Sequence, residues 1–299
     1  MGLGYEGYAK IQTAVGENTE VDLVPCTGAT LPDDNVRLDS SGGYGGKIKS
    51  PTSEIGIGSP HVYDYPNYNG NINFEVSAGF ITNQIIPALL NRQNPCNISF
   101  SSRHGNITDG SQCFWNNINI TGQSGAIISG TLGFVGLVRS YTQGQSFFDL
   151  AHPDNKVGQN FFIDHTGFNI ADPIVPNILI PFWKTKIIIN GSLVELTQWS
   201  VDFSQEIVKF FACENHSTPQ VPSYVAAGPL SVVFSGEYAL VNQSVPFTVP
   251  DWLDTLDIHI DSVSIDLKRC ELNSTKDDLV APDTFAPINF EYFCYEISV

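Results

Sequence analysis

Basic residues are scarce. Fourteen Lys and Arg face thirty-one Asp and Glu, a formal net charge of −17 over 299 residues. That balance has the wrong sign for gripping nucleic acid, where neutralising phosphates supplies most of the affinity. It suits a soluble acidic surface, and equally a surface that must not adhere to a polyanion. Long apolar runs are absent too, and none reaches the length that spans a bilayer. The opening Met1-Gly2-Leu3-Gly4-Tyr5-Glu6 has neither a basic segment nor an apolar core, so no signal peptide is expected there. Glu6 stands where a myristoylation signal wants Ser or Thr. The six cysteines (Cys26, Cys96, Cys113, Cys213, Cys270, Cys294) form no CxxC pair and sit beside no His cluster. Zinc is therefore not expected, and buried, reduced thiols are.

Catalytic motifs are missing as well. There is no nucleophile elbow, no phosphate-binding loop, no HExxH, and no glycine-rich turn joining a strand to a helix. The histidines are scattered, and Asp164-His165 and His152 with Asp154 have no nucleophile to serve. One ligand-like group stands out: in "DIHID", Asp257, His259 and Asp261 alternate onto one side of a strand and could hold a divalent cation. Ile258 and Ile260 claim the buried side, so the preferred reading is a polar strand face. Trp115, Trp183, Trp199 and Trp252 read as packing or interface anchors rather than sugar platforms. The expectation is a protein that is not an enzyme and carries no metal or cofactor. Seven N-x-S/T sequons (Asn97, Asn106, Asn119, Asn190, Asn215, Asn242, Asn273) exceed chance, but several fall in strand-like sequence where a glycan would obstruct pairing.

What the chain has in abundance is period-two alternation. Ile72, Phe74, Val76 and Ala78 alternate with polar residues, which predicts a half-buried strand. The same pattern marks Leu230, Val232 and Phe234, then Ile258 and Ile260, then Val263, Ile265 and Leu267. Helical spacing is rare. "ITNQIIPALLNRQN" sets Ile81, Ile85, Ala88 and Leu89 on one face despite Pro87, and "VPDWLDTL" has Pro250 and Asp251 where a helix could start. The stretches Asp33–Ser59 and Ser140–Asn177 read as long loops.

The alternation repeats on a larger scale. With Gly70 set on Gly228, residues Ile72, Phe74, Val76, Ala78 and Phe80 fall on Leu230, Val232, Phe234, Gly236 and Tyr238. Lys47-Ile48-Lys49 precedes the first strand much as Lys184-Thr185-Lys186-Ile187 precedes the second. Ile118 and Ile120 match Ile258 and Ile260, and each half closes on strand-rich sequence, Ala126–Val138 and Pro287–Val299. The order hairpin, strand, possible helix, strand, closing strands recurs, so the expected fold is mostly β: two tandem β-sandwich or barrel-like modules, each with at most one flanking helix, with a single large β-sandwich as the alternative. The boundaries drawn are 1–140 for the first module, 141–177 for a linker and 178–299 for the second. A second echo, "CFWNNINITG" against "PFWKTKIIING", has too short a spacing to be the module repeat and marks a shared hairpin pattern.

The segments "WKTKIIINGSLVELTQWSVDF" and "GPLSVVFSGEYALV", with their first-half counterparts "GKIKSPTSEIGIG" and "GNINFEVSAGFI", resemble the tail tube (major tail) proteins of long-tailed bacteriophages. The likeness is one of pattern and order over most of 47–299, without a signature motif. In that family six modules usually form a ring and rings stack into a tube that conducts double-stranded DNA during ejection. A two-module chain would make a pseudo-hexameric ring from three copies. The resemblance implies a structural virion protein of the phage tail, assembled in the host cytoplasm. Its partners would be further copies of itself and tail proteins such as the tape measure and terminator. DNA would pass in transit without specific binding, and no membrane would be involved. The Pro-containing helix and the long stretch between the halves depart from the family pattern.

A conduit for DNA needs walls that do not bind it, which acidic side chains facing the lumen provide. Acids on the polar phase of strands are the candidates: Glu75, Glu195, Asp202, Glu237, Asp257 and Asp261. Edge strands of neighbouring subunits would pair, removing edges that are otherwise a hazard. A rival reading is a secreted or surface β-sandwich binding module, for glycans or as a viral glycoprotein ectodomain, which the sequons and tryptophans favour. A β-sandwich glycosidase would need paired carboxylates in a cleft, which sequence alone does not locate.

Overall fold

The computed structural model describes residues 7–13, 24–30, 68–102, 107–136, 138–142, 179–210, 224–239, 248–277 and 287–298. The expected loop Asp33–Ser59, the Lys47–Lys49 strand signal and most of the linker lie outside them. The first half supplies β1 (Gly7–Thr13), β2 (Val24–Thr30), β3 (Tyr68–Glu75), β4 (Cys96–Ser102), β5 (Ile107–Gln123), β6 (Ser129–Gly136) and β7 (Val138–Thr142). The second supplies β8 (Thr185–Ile189), β9 (Ser192–Val194), β10 (Gln198–Phe210), β11 (Tyr224–Ala239), β12 (Trp252–Ile260), β13 (Val263–Asp277) and β14 (Pro287–Ser298). All fourteen strands join one antiparallel sheet, in the order β4-β1-β2-β3-β6-β5-β10-β11-β14-β13-β12-β8-β9, with β7 on the side of β5. The protein is mostly β, as the alternation predicts. Within the first half β4 also pairs β5, which closes six strands into a barrel.

The predicted alternating strand stops at Glu75, three residues short of Ala78, where the pattern carries it. Ser77 caps a helix instead, its Oγ accepting from the Phe80 N–H at 3.2 Å. Helical turns then run without a break through α1 (Ala78–Phe80), a π-turn over Ile81–Ile85 and α2 (Ile86–Leu90). Pro87 has no N–H to give to the preceding turn, and the wide π-turn lies just before it. Phe80, Ile81, Ile85, Ala88 and Leu89 are buried, as their spacing predicts. Phe80 meets Phe74 edge-on at 4.8 Å, and Trp115 donates its indole N–H to the Ala88 carbonyl at 2.9 Å, tying helix to sheet.

The second expected helix, "VPDWLDTL", is a strand. Trp252 opens β12, which lies between β13 and β8, and Leu253, Leu256, Ile258 and Ile260 all go into the core. Two flanking strands satisfy its backbone groups and bury its apolar side. Pairing therefore overrides a weak local start signal.

The pairing repeats between halves. β1 pairs β4 as β8 pairs β12. β2 pairs β3 as β10 pairs β11. β3, β6, β5 and β4 are neighbours in that order, as are β11, β14, β13 and β12. One irregularity recurs with them: the β5–β6 ladder shifts between Trp115 and Asn117, and the β13–β14 ladder between Leu272 and Ser274, each 157 residues further along. This correspondence corrects two of the sequence matches. Ile118 and Ile120 lie on β5, whose counterpart is β13, not the β12 of Ile258 and Ile260; alternating isoleucines occur in several core strands, so the pattern cannot say which strand is a neighbour. β3 does correspond to β11, but ladder ends set Tyr68–Glu75 on Val232–Ala239 rather than Gly70 on Gly228.

The halves meet strand to strand. Asn117–Gln123 of β5 pairs Gln198–Ser204 of β10, so the sheet crosses the join without a gap. There Gly122 stands opposite Trp199, and a Cβ at Gly122 would lie 2.5 Å from the indole nitrogen. Only glycine leaves room for that ring.

Candidate functional site: a continuous polar sheet face

Alternation gives the sheet two faces with opposite chemistry. One carries Ile72, Phe74, Ile118, Ile120, Leu132, Val201, Phe203, Phe234, Phe290 and Tyr292, all buried. The other can be followed across the ladders. Asn73, Thr131, Asn119, Asp202, Val233, Phe293 and Glu271 stand side by side on successive strands. The adjacent row is Glu75, Ser129, Thr121, Ser200, Ser235 and Glu291, and the next is Gln123, Gln198, Glu237 and Asn289. Polar residues therefore run from β3 to β14 through the join.

Short bonds within this face hold its side chains. Asn117 Nδ2 donates to Asp202 Oδ2 at 2.8 Å, across the join. Thr121 Oγ1 donates to Asn119 Oδ1 at 2.7 Å and Thr131 Oγ1 to Asn73 Oδ1 at 3.1 Å. Thr197 Oγ1 donates to Glu237 Oε1 at 2.6 Å, and Asn273 donates to Glu291. Carboxylates thus take bonds from neutral amides and hydroxyls, which leaves their charge uncancelled.

The predicted acids divide on this map. Glu75, Asp202 and Glu237 share the face in consecutive rows. Asp257 lies further along it on β12, opposite Asp266 on β13. Burial, then repulsion from Asp266, raises the Asp257 carboxyl above its usual value, against opposing pulls from His259 and Lys268. Glu195 falls outside the strands, exposed between β9 and β10. Asp261 sits in the β12–β13 turn at φ 54° and pairs with Lys184 at 3.1 Å. It has left the strand, so the alternating "DIHID" triad does not assemble. Among the described residues no group of three or more His, Cys, Asp or Glu could hold a metal ion. Glu271, Glu291 and Asp266 were missed by the sequence reading, although their polar phase in β13 and β14 was visible.

Comparison with known proteins returns little. No family model matches the chain, and no curated protein matches it. Among solved structures, a chain from the cryo-EM structure of an extracellular contractile injection system, the PVC sheath-tube complex in the extended state, is similar at a TM-score of 0.31. Sequence identity is 9%, over 40% of this chain and 89% of that one. So loose a likeness carries no weight on role.

The tryptophans also divide. Trp115 and Trp199 are core residues, as anchors should be. Trp183 and Trp252 are exposed, and Trp252 stacks on Tyr295 with ring centres 6.3 Å apart. Phe293 is exposed in the row beside Glu271, and the Tyr295 hydroxyl donates to Glu271 at 2.6 Å. Of the sequons, Asn119 sits in the sheet at the join and Asn190 in the β8–β9 turn. Cys96, Cys113, Cys270 and Cys294 are buried free thiols, and burial pushes the Cys113 thiol up to about 12.

Proposed function

We propose that this chain is a structural, self-assembling subunit of a phage-type tail tube, built of two copies of one β-module, three chains to a ring. The observation that carries the reading is the repeated strand pairing, bulge included, with the sheet continuous across the join. A chain that already packs two like modules edge to edge contains a sample of the contact a ring repeats. The polar face supports the same reading. It is rich in neutral amides and hydroxyls with acids spaced among them, a surface that hydrates and repels phosphate rather than releasing counterions for it. In such a tube Glu75, Asp202, Glu237 and Asp257 line the lumen, and the protein has no catalytic role and no cofactor.

Light scattering after size exclusion, with electron microscopy at rising concentration, tests this. Annular trimers or tubes about 100 Å across are expected, a width set by the size of packed domains. A strict monomer at high concentration overturns it. The exposed Trp252, Phe293 and Tyr295 favour a second reading, a β-sheet binding module that takes sugars on aromatic rings. An intact mass carrying glycans and disulfides supports that alternative; a bare, reduced mass supports the tube.

A further inference from the structure

The recurring bulge sits beside a hollow on the polar face of each half, and the two hollows are filled differently. In the second half Glu291 stands between Ser235 and Ser274 on its neighbouring strands, and the bulge residue Asn273 donates to its carboxylate. The equivalent row in the first half is Asn71, Gly133 and Asn117, with Asn116 in the bulge. Glycine stands where the glutamate does, so no side chain rises between the two asparagines. The Asn116 carboxamide lies over Gly133 instead, its Oδ1 2.5 Å from where a Cβ on that glycine would be. That oxygen is buried and has no hydrogen-bond partner. A buried acceptor without a donor is costly to keep, and a bulge is a common device for aiming one side chain at a site. One water would satisfy the atom, but the hollow measures about 440 Å³, against about 30 Å³ for a water in the liquid. It falls in the range of small-molecule sites, about 300–1,000 Å³.

We propose that the hollow lined by Asn71, Asn116, Asn117, Thr131 and Gly133 binds a neutral polyhydroxyl ligand, one pyranose ring of a sugar, with a ring hydroxyl donating to Asn116 Oδ1. No lining residue is ionisable, so a charged ligand finds no counter-charge there, and the net charge of −17 turns anions away. The neighbouring Asp202 already takes the Asn117 bond. Asn117 and Thr131 donate to Asp202 and Asn73, their oxygens keep lone pairs, and the Asn116 amide adds N–H donors. A wall of mixed donors and acceptors suits vicinal hydroxyls, each of which gives one bond and accepts others. Gly133, without a Cβ, lets a ring come close to the backbone. The second half lacks this chemistry, because Glu237 and Glu291 stand in the wall of its hollow. The inference stands on this geometry and not on the tube reading, and the site is apart from the Trp252 and Tyr295 rings of β12 and β14.

Saturation-transfer NMR on the full chain, with the methyl glycosides of glucose, galactose, mannose and N-acetylglucosamine, tests this. At least one glycoside is expected to bind. Asn116→Ala removes the acceptor, and the methyl group of Gly133→Ala must push the carboxamide aside. Each should weaken binding about tenfold, the worth of one hydrogen bond. Asn273→Ala, the equivalent change in the second half, and Trp252→Ala should leave it unchanged. If Gly133→Ala lowers the melting temperature, Asn116→Ala carries the comparison. Binding that survives Asn116→Ala, or disappears with Trp252→Ala, places the sugar elsewhere and overturns the assignment. A preference for acetate or methylammonium over the glycosides overturns it too, as does no binding of any of the four, which leaves the oxygen to water. Rings or tubes that form without sugar binding overturn this inference alone. Sugar binding by a strict monomer, lost in Asn116→Ala, upholds it while the tube reading falls.

Discussion

Gly122→Ala probes the join between the halves with a single methyl group. The added carbon would lie 2.5, 2.6 and 2.9 Å from Nε1, Cε2 and Cζ2 of Trp199. Carbon contacts settle at about 3.5–4.0 Å, so the ring must retreat by about 1 Å. Little room exists, since Trp199 is only 1% exposed and its indole N–H reaches Thr185 Oγ1 at 3.3 Å. Overpacking of this kind costs about 1–3 kcal/mol, and losing the indole bond adds about 1 kcal/mol. A total near 3 kcal/mol (roughly) is expected. The assay is urea denaturation followed by far-ultraviolet circular dichroism, which does not depend on tryptophan. Trp199→Phe alone should cost about 2 kcal/mol through the space it leaves. Combined with Gly122→Ala it should cost less than the sum by at least about 1 kcal/mol, because the methyl occupies that space. Gly125→Ala is the control, a positive-φ turn position with no neighbour within 4 Å. Additivity of the pair, or a Gly122→Ala effect no larger than the control, would refute the packing argument.

Three further outcomes follow from the same structure. Gly130→Ala should be harsher than Gly122→Ala, about 3 kcal/mol or more by thermal or urea unfolding, because its Cβ would strike the Asn119 backbone oxygen at 2.6 Å as well as the Phe74 ring. Asp257→Asn should stabilise at neutral pH: the folded carboxyl titrates higher than the unfolded one, so ionising it costs stability as pH rises through the folded value. The gain should vanish below pH 3.8, the ordinary value, and a gain that grows toward acid pH would show the sign to be wrong. In a Cys26→Ser, Cys213→Ser background, Cys96, Cys113, Cys270 and Cys294 should resist iodoacetamide until urea unfolds the chain, since all four are buried away from the reagent and burial also raises the Cys96 and Cys113 thiols, which then supply little thiolate; rapid native alkylation would contradict their burial.

Legibility followed the range of the physics involved. Strands such as Leu230–Phe234 and Val263–Leu267 were readable because period-two burial is written residue by residue. The helical run was readable because Ile81, Ile85, Ala88 and Leu89 keep one face despite Pro87. The start of β12 reads as helix because "VPDWLDTL" has a local helix-start signal, while the strands that claim it lie elsewhere in the chain; its end, Ile258 and Ile260, was legible as strand. The polar face was half legible: Glu75, Asp202, Glu237 and Asp257 were picked from their phase, while Asp261 was misplaced by a turn that phase does not reveal.

The sequence by itself determined the class of the fold, the side of each strand that faces the core, and the acidic, amide-rich character of the other side. These depend on side-chain chemistry and near neighbours along the chain. Only the tertiary structure decided which strands are neighbours, that β5 corresponds to β13, and that the two halves share one sheet through β5 and β10. Backbone hydrogen bonds carry no side-chain label, so many pairings satisfy the same alternation. Close fits such as Gly122 under Trp199 select among them, and such fits exist only once the chain has folded.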